Sequence, residues 1–390
     1  MDETRDLDRW LAERAVAMEE ALASLVEKNS FTDNADGGRA VGALLAKDVL
    51  TAAGLALERT PSARYADHLV WRSAGDAAAR PIALVGHLDT VFPPGTFEGY
   101  RKDGDLRRGP GVLDMKGGLV VVAFALRALA EVVGLARVAP LSVVVVADEE
   151  VGSPEGQGII RAALAGARGA LVFEAGRKAD AIITRRKGTG SVTATARGKA
   201  AHAGLAHKDG VNAIWALARF VDRAQRLTDY ARGVTVNVGT IAGGTSKNTV
   251  PEEAIAKLDL RFETTADGEA LVRALGEAAR AAAEDVPGAS VSIEGGVARH
   301  PLERIAGAGE LFAGYGACAR AVGLGASEAP LVAGGSDAST ASHAGVAAID
   351  GLGPRGTGFH TKDELIEVAT LVPKAQALAR FLLAWTRGAR

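Results

Sequence analysis

The sequence reads as an α/β protein with a mostly parallel sheet, into which a smaller ferredoxin-like α+β domain is inserted. Short, almost wholly apolar runs such as Ile82–Gly86 and Leu141–Ala147 alternate with helical stretches, and strands with so few polar residues are those covered on both faces. From about Gly188 the pattern changes. GSVTATARG (190–198), VTVNVGTI (234–241) and, more loosely, AIAKLDLRF (254–262) alternate apolar with polar residues, the period of half-exposed antiparallel strands. Near His300 the first pattern returns. The expected division is therefore an outer domain over residues 1–187 and 299–390, interrupted by an inserted domain over 188–298.

In chain order, MDETRDLDRWLAERAVAMEEALASLVEK is expected to form one amphipathic helix; it has neither the basic start nor the continuous apolar run of a signal peptide. Turn-rich Asn29–Asn34 ends it. A helix over 38–53, strands at Leu55–Thr60 and His68–Trp71, an Ala/Gly/Asp turn and the strand from Ile82 follow. Beyond it come a helix over 119–133, the strand 141–147, a helix over 157–165 and the strand 170–173. Inside the insertion, helices over 213–231 and 269–283 separate strands, the last at 290–295, in a β-α-β-β-α-β order. A strand at 346–349 and a helix over 365–387 close the chain.

With 390 residues, 48% of them hydrophobic and 24% charged, the chain has an ordinary globular composition and the length of roughly two or three domains. A net charge of −2 and a pI near 6.4 give no reason to expect nucleic-acid or membrane binding. No apolar stretch is long enough to span a bilayer, and the expected location is the cytoplasm. One cysteine, Cys318, rules out an internal disulfide and a cysteine-based zinc site. Its setting, FAGYGACARAVG, reads as helix rather than as the site of a nucleophile.

The chemistry-bearing residues collect at strand ends. His87 and Asp89 follow the Ile82 run, Asp148-Glu149-Glu150 follow the Leu141 run, and Glu174 ends Ala170–Phe173. Asp114 follows a Gly/Pro loop, Arg108–Gly111, and stands before Lys116-Gly117-Gly118 and a helix, while His360 lies far downstream in GPRGTGFHTKDE. Ligands gather at the carboxyl ends of strands in open α/β sheets, and imidazole nitrogen with carboxylate oxygen suits zinc. Singly, each motif has a plainer reading: Asp114 as a helix cap, DEEVGSPEGQG as a solvated turn. Their repetition at independent strand ends favours a metal. Glu149 and Glu150 leave their strand in different directions, so one can bind metal while the other faces a water; such like charges need compensating cations.

In this order and over nearly the whole chain, GHLDTV, GPGVLDMKGG, DEEVGS, FEAGR, GKAAHAG and FHTKDE resemble the signature set of the M20 family of metallopeptidases, in particular its glutamate carboxypeptidase, or carboxypeptidase G2-like, branch. The resemblance implies a zinc-peptidase-like catalytic outer domain and an inserted lid that also mediates homodimerisation. It implies two zinc ions per subunit, with cobalt or manganese also accepted by such ligands. Asp114 would bridge the ions, His87 and Glu174 would complete one site, and Glu150 and His360 the other. Glu149 would be the general base on the attacking water and Asp89 would orient His87. His202, in GKAAHAG, would assist at the oxyanion of its own or the partner subunit. A non-proline cis peptide would follow Asp114. Arg261 and Asn248 would meet the substrate's free carboxylate, and the loop Gly334-Gly335-Ser336-Asp337-Ala338, similar to the family's GGGTDA loop, would lie near the substrate side chain.

The implied reaction is hydrolysis of an amide next to a free carboxylate, releasing a C-terminal amino acid, glutamate favoured, from a small peptide or N-acyl amino acid. The alternative is an N-acyl-amino-acid deacylase of the acetylornithine deacetylase or aminoacylase type. FEAGR departs from the FEPT-like stretch of the glutamate carboxypeptidases, which bears on side-chain preference. A non-catalytic binding protein on the same fold would lack a ligand or Glu149, and none is missing. His68, His207, His300 and His343 are expected to be structural, as is Lys116, and Arg185-Arg186-Lys187 is expected to be a solvated boundary.

Overall fold

The computed structural model describes residues 2–74 and 80–388; the turn expected between Trp71 and Ile82 lies outside the described residues. Two compact units result. One comprises residues up to Arg185, Arg304–Leu331 and those from Ser336 onward; the other comprises Arg186–Glu303 with Val332–Gly335.

The first unit is built on a six-stranded sheet in the order Leu55–Thr60, His68–Ser73, Leu141–Val146, Ile82–His87, Gly169–Val172, Ala348–Ile349. The last four strands run parallel, and the first two add antiparallel at one edge. Every residue of Ile82–His87 and Leu141–Val146 is buried, which is why those runs carry no exposed polar face. Register does the positioning: His87 pairs with Val146, and Val85 with Val172. Three chains therefore leave the sheet at the same edge, carrying His87, Asp148-Glu149-Glu150 and Glu174 with them.

Helix Lys116–Ala128 is buried at every position but Arg127, as an inner helix that is apolar nearly all round must be. It begins earlier than expected and ends in a π turn, Leu129–Val133. The N-terminal helix is two helices, Glu3–Ala12 and Ala15–Val26, broken at Arg14 (φ −111°, ψ 16°). The break lets Leu7 and Leu11 of one, and Met18, Leu22 and Leu25 of the other, all reach the core. The closing helix is Leu371–Gly388. Residues Leu365–Glu367 before it form a strand in a small sheet with Gly356–Thr357, Leu106–Arg108 and Arg101–Asp103. Among the described residues no helix is long and apolar enough to cross a membrane.

The second unit is a four-stranded antiparallel sheet in the order Thr235–Gly243, Glu253–Phe262, Gly188–Arg197, Ser290–Arg299. Helices Ala213–Gln225 and Thr265–Glu284 cover its apolar face, where Val192, Ala194, Leu258, Leu260 and Phe262 meet Leu217, Phe220, Leu271 and Leu275. A short pairing of Ala201–His202 with Thr249–Val250 was not expected from the sequence; two-residue strands carry no period to read.

Two glycines explain the DMKGG turn. A Cβ on Gly118 would lie 2.0 Å from the Phe173 carbonyl oxygen, and one on Gly117 2.4 Å from that of Val112. The helix start is thus pressed against the strand end that leads into Glu174. Gly118→Ala is expected to cost about 3 kcal/mol through overpacking, read as a lower denaturant midpoint at unchanged m-value; a midpoint equal to that of the unaltered protein would contradict this packing.

Candidate metal centre

His87 ends its strand fully buried, with Nδ1 3.0 Å from the Asp89 carbonyl oxygen. A carbonyl only accepts, so Nδ1 carries a hydrogen, which leaves Nε2 as the ring atom that can turn to a metal. That Nε2 lies 3.4 Å from Asp114 Oδ1 and 3.7 Å from Glu174 Oε1. The other oxygen of the same carboxylate, Asp114 Oδ2, lies 3.4 Å from His360 Nε2, which is in turn 3.0 Å from Glu150 Oε2. Glu149 joins the first group: it, His87 and Glu174 each bring one ligand atom within 4.8 Å of the others. The Asp114–Met115 peptide is cis.

The supporting contacts explain how the ligands are held. Asp89 Oδ1 accepts the Glu149 N–H (3.2 Å) and lies 3.3 Å from His87 Nδ1; Oδ2 accepts the Glu150 N–H (3.2 Å) and the Thr32 hydroxyl (2.8 Å). One carboxylate thus ties together the ends of two neighbouring strands. Lys116 is buried and donates from Nζ to the Lys28 carbonyl, a structural role, and burial pulls its pKa down to about 7. His360 holds φ at 62°, a left-handed conformation that costs a non-glycine residue about 1–2 kcal/mol and that collects at functional sites.

Charge is crowded here. Burial, then the Asp114 charge, pushes the Glu174 carboxyl well above the usual range, and burial raises Glu150 against the pull of His360. Contacts with Asp114 and Glu150 raise His360 to about 10. Burial opposes the charged form of His87, but Glu174, Asp114 and Asp89 together carry its pKa well above the ordinary value. The carboxylates demand more positive charge than two imidazoles bring. His87 Nε2, Asp114 Oδ1 and Glu174 Oε1 are buried without a hydrogen-bond partner, three potential metal-ligand atoms close to one another. A divalent cation of the zinc type fits that donor set and satisfies all three.

The remaining site candidates divide between the units. His202 is exposed on the second unit, and its Nδ1 accepts the N–H groups of Gly204 and Leu205, each at 3.1 Å, so its hydrogen sits on Nε2. Asn248 is its neighbour: the Ala203 N–H donates to the Asn248 carbonyl at 2.9 Å, and Asn248 Oδ1 accepts from the Ser246 hydroxyl. Arg261 grips Asp259 in a two-pronged bond of 2.8 and 3.0 Å. The Gly334 carbonyl accepts from Arg186 Nη1 at 3.1 Å, and Gly335 packs against the Arg299 side chain.

Ser336, in the first unit, is buried; its hydroxyl donates to Asp350 Oδ2 at 2.6 Å and accepts the Ala338 N–H. One expectation needs correction. Arg186 is only 4% exposed, not solvated, because it anchors the Gly334 carbonyl. Cys318 is half-buried in helix Ala308–Ala321 and burial pushes its thiol up, the opposite of an activated nucleophile. The sequence reading passed over Glu364, a buried carboxylate bonded to the backbone around Asp114; its spacing from His360 was visible, but nothing in the sequence showed what it touches.

Residues 184–287 match the family description of a peptidase dimerisation domain. Over 375 residues the chain is 29% identical to carboxypeptidase G2 of Pseudomonas sp. strain RS-16, covering 94% of this chain and 89% of that one. Over nearly its whole length the chain resembles the M20 family of metallopeptidases. The likeness is to enzymes of the metallo-carboxypeptidase and amidohydrolase kind, for which a divalent metal is implied, and the cluster around His87 could hold one. An acetylornithine deacetylase of Myxococcus xanthus is 35% identical to this chain over 223 residues, covering 52% of it and 56% of the relative. In fold the chain matches the aminopeptidase PepT of Bacillus cereus (TM-score 0.77, 22% identity, 95% of this chain and 98% of that one). It also matches the M20 family metallo-carboxypeptidase Sso-CP2 of Sulfolobus solfataricus (0.73, 17%, 95% and 99%).

Proposed function

We propose that this enzyme hydrolyses an amide bond next to a free carboxylate and releases a C-terminal amino acid, glutamate favoured, from a small peptide or N-acyl amino acid. The observation that carries the proposal is Asp114, whose two oxygens each face a different imidazole at 3.4 Å. That arrangement supports two zinc ions, one held by His87, Glu174 and Asp114, the other by Glu150, His360 and Asp114; cobalt and manganese suit the same donors. Bound there, the metal polarises the scissile carbonyl and makes water acidic near neutral pH.

The chain's own residues do the rest. Glu149 stands in the turn at the end of the Leu141–Val146 strand, its backbone fixed by Asp89, and takes the proton from the attacking water before passing it to the leaving amine. His202 offers Nε2–H to the carbonyl oxygen as charge grows on it. Arg261 and Asn248 receive the substrate carboxylate, a role for which a guanidinium fork is suited, and the Gly334-Gly335 backbone lines the approach to the substrate side chain. The deacetylase relative supports one alternative, removal of an acyl group from an N-acyl amino acid by the same residues.

The second unit also presents Trp215, Ile241 and Leu205, which are 55%, 57% and 88% exposed. Large apolar side chains on one small domain support pairing of two copies through it. A wild-type dimer that becomes a monomer on Trp215→Glu with Ile241→Lys, read by sedimentation, is the expected result; a wild-type monomer at micromolar concentration would contradict it.

Zinc-loaded protein tested on N-acyl-glutamates, dipeptides ending in Glu, Asp, Gly or Leu, and N-acetylated amino acids is expected to release amino acid from the carboxyl-terminal substrates. In Glu149→Ala, kcat should fall about 10³-fold with zinc content unchanged. Turnover of acetylated amino acids alone would assign the deacylase reaction instead, and full activity in Glu149→Ala would remove Glu149 as the base.

A further inference from the structure

Glu364 lies four residues beyond His360 and is completely buried. Its Oε1 accepts the backbone N–H groups of Leu113 (2.9 Å) and Asp114 (3.0 Å), and its Oε2 accepts that of Gly111 (3.0 Å). All three donors belong to the turn that presents Asp114. The small sheet explains the placement. Leu365 pairs with Arg108 on one side and with Thr357 on the other, so Glu364 sits where strand Leu106–Arg108 gives way to that turn. The same pairing closes the loop that carries His360.

That loop is braced internally. The Thr361 N–H and hydroxyl both donate to the Gly358 carbonyl, the Glu364 N–H donates to the Thr361 carbonyl, and the Asp363 N–H donates to the Thr361 hydroxyl. His360 and Glu364 therefore form one stiff piece. A single carboxylate spans from the piece that bears one imidazole to the backbone of the carboxylate both imidazoles face. Burying a carboxylate is costly unless its lone pairs are satisfied, and leaving three N–H groups without an acceptor is costly too. The contact therefore has a definite geometry: without it the turn must rotate to find acceptors, and Asp114 must rotate with it.

We propose that Glu364 is a positioning residue that sets Asp114 between His87 and His360, and that occupancy of both metal positions depends on it. The proposal rests on the metal reading above. Glu364 touches neither the facing imidazoles nor the ligand oxygens; it acts through the backbone of the turn.

The test is calorimetric titration of zinc into the metal-free full-length protein, as wild type, Glu364→Gln and Glu364→Asp, with the melting temperature of each metal-free form recorded. Glutamine keeps the size but turns an amide N–H₂ towards a backbone donor; aspartate keeps the charge but withdraws the oxygens by one methylene. Wild type is expected to bind two zinc ions per chain. Glu364→Gln is expected to fold, with a metal-free melting temperature near that of wild type, and to lose at least tenfold in affinity at one or both positions; Glu364→Asp should lose less. Wild-type affinities in both variants would overturn the proposal, as would lower metal-free stability with unchanged affinities. Failure of both variants to fold would assign Glu364 to stability alone and overturn it too. A wild-type protein that binds no zinc would instead remove the metal reading, and this proposal with it.

Discussion

One half-buried carboxylate held between two imidazoles, Asp114 between His87 and His360, is the contact on which the candidate metal centre depends. Glu149, Glu150 and Glu174 crowd around it, and charges so close in a poorly solvated place repel strongly. Two imidazoles offset part of that repulsion. The lone pairs left without partners mark where further positive charge belongs, and a divalent cation with nitrogen and oxygen ligands supplies it.

The scaffold makes this crowding possible by register rather than by loop conformation. Pairing of Ile82–His87 with both neighbouring strands brings three ligand-bearing chain ends to one edge of the sheet, and Asp89 locks two of them together. Close approach of Gly118 to the Phe173 carbonyl brings the helix that follows Asp114 to the third. The fourth contribution, His360, comes from outside the sheet and needs its own anchor. The three-residue strand Leu365–Glu367 and the Glu364 carboxylate supply it.

How much of this was legible in the sequence follows the physics of each part. Strands buried on both faces are apolar almost throughout, so Ile82–Gly86 and Leu141–Ala147 announced the parallel sheet, and the residues ending them are those the register brings together. Alternation in 190–198 and 234–241 announced the antiparallel unit for the same reason. The break at Arg14 left no mark, since neither glycine nor proline stands there and the bend arises from what each helix packs against. Three-residue strands such as Arg101–Asp103 and Leu365–Glu367 are too short to show a period. Arg186 and Glu364 escape a reading of the sequence for one reason: each is a polar residue whose burial is set by a distant partner, and spacing along the chain does not reveal partners.

The most direct measurement is anomalous diffraction at the zinc edge from crystals of the zinc-loaded protein. Two peaks per chain are expected, about 3.5–4 Å apart, on either side of Asp114: one beside His87 and Glu174, the other beside Glu150 and His360. A single peak, or peaks away from Asp114, would contradict a two-metal centre bridged by that carboxylate.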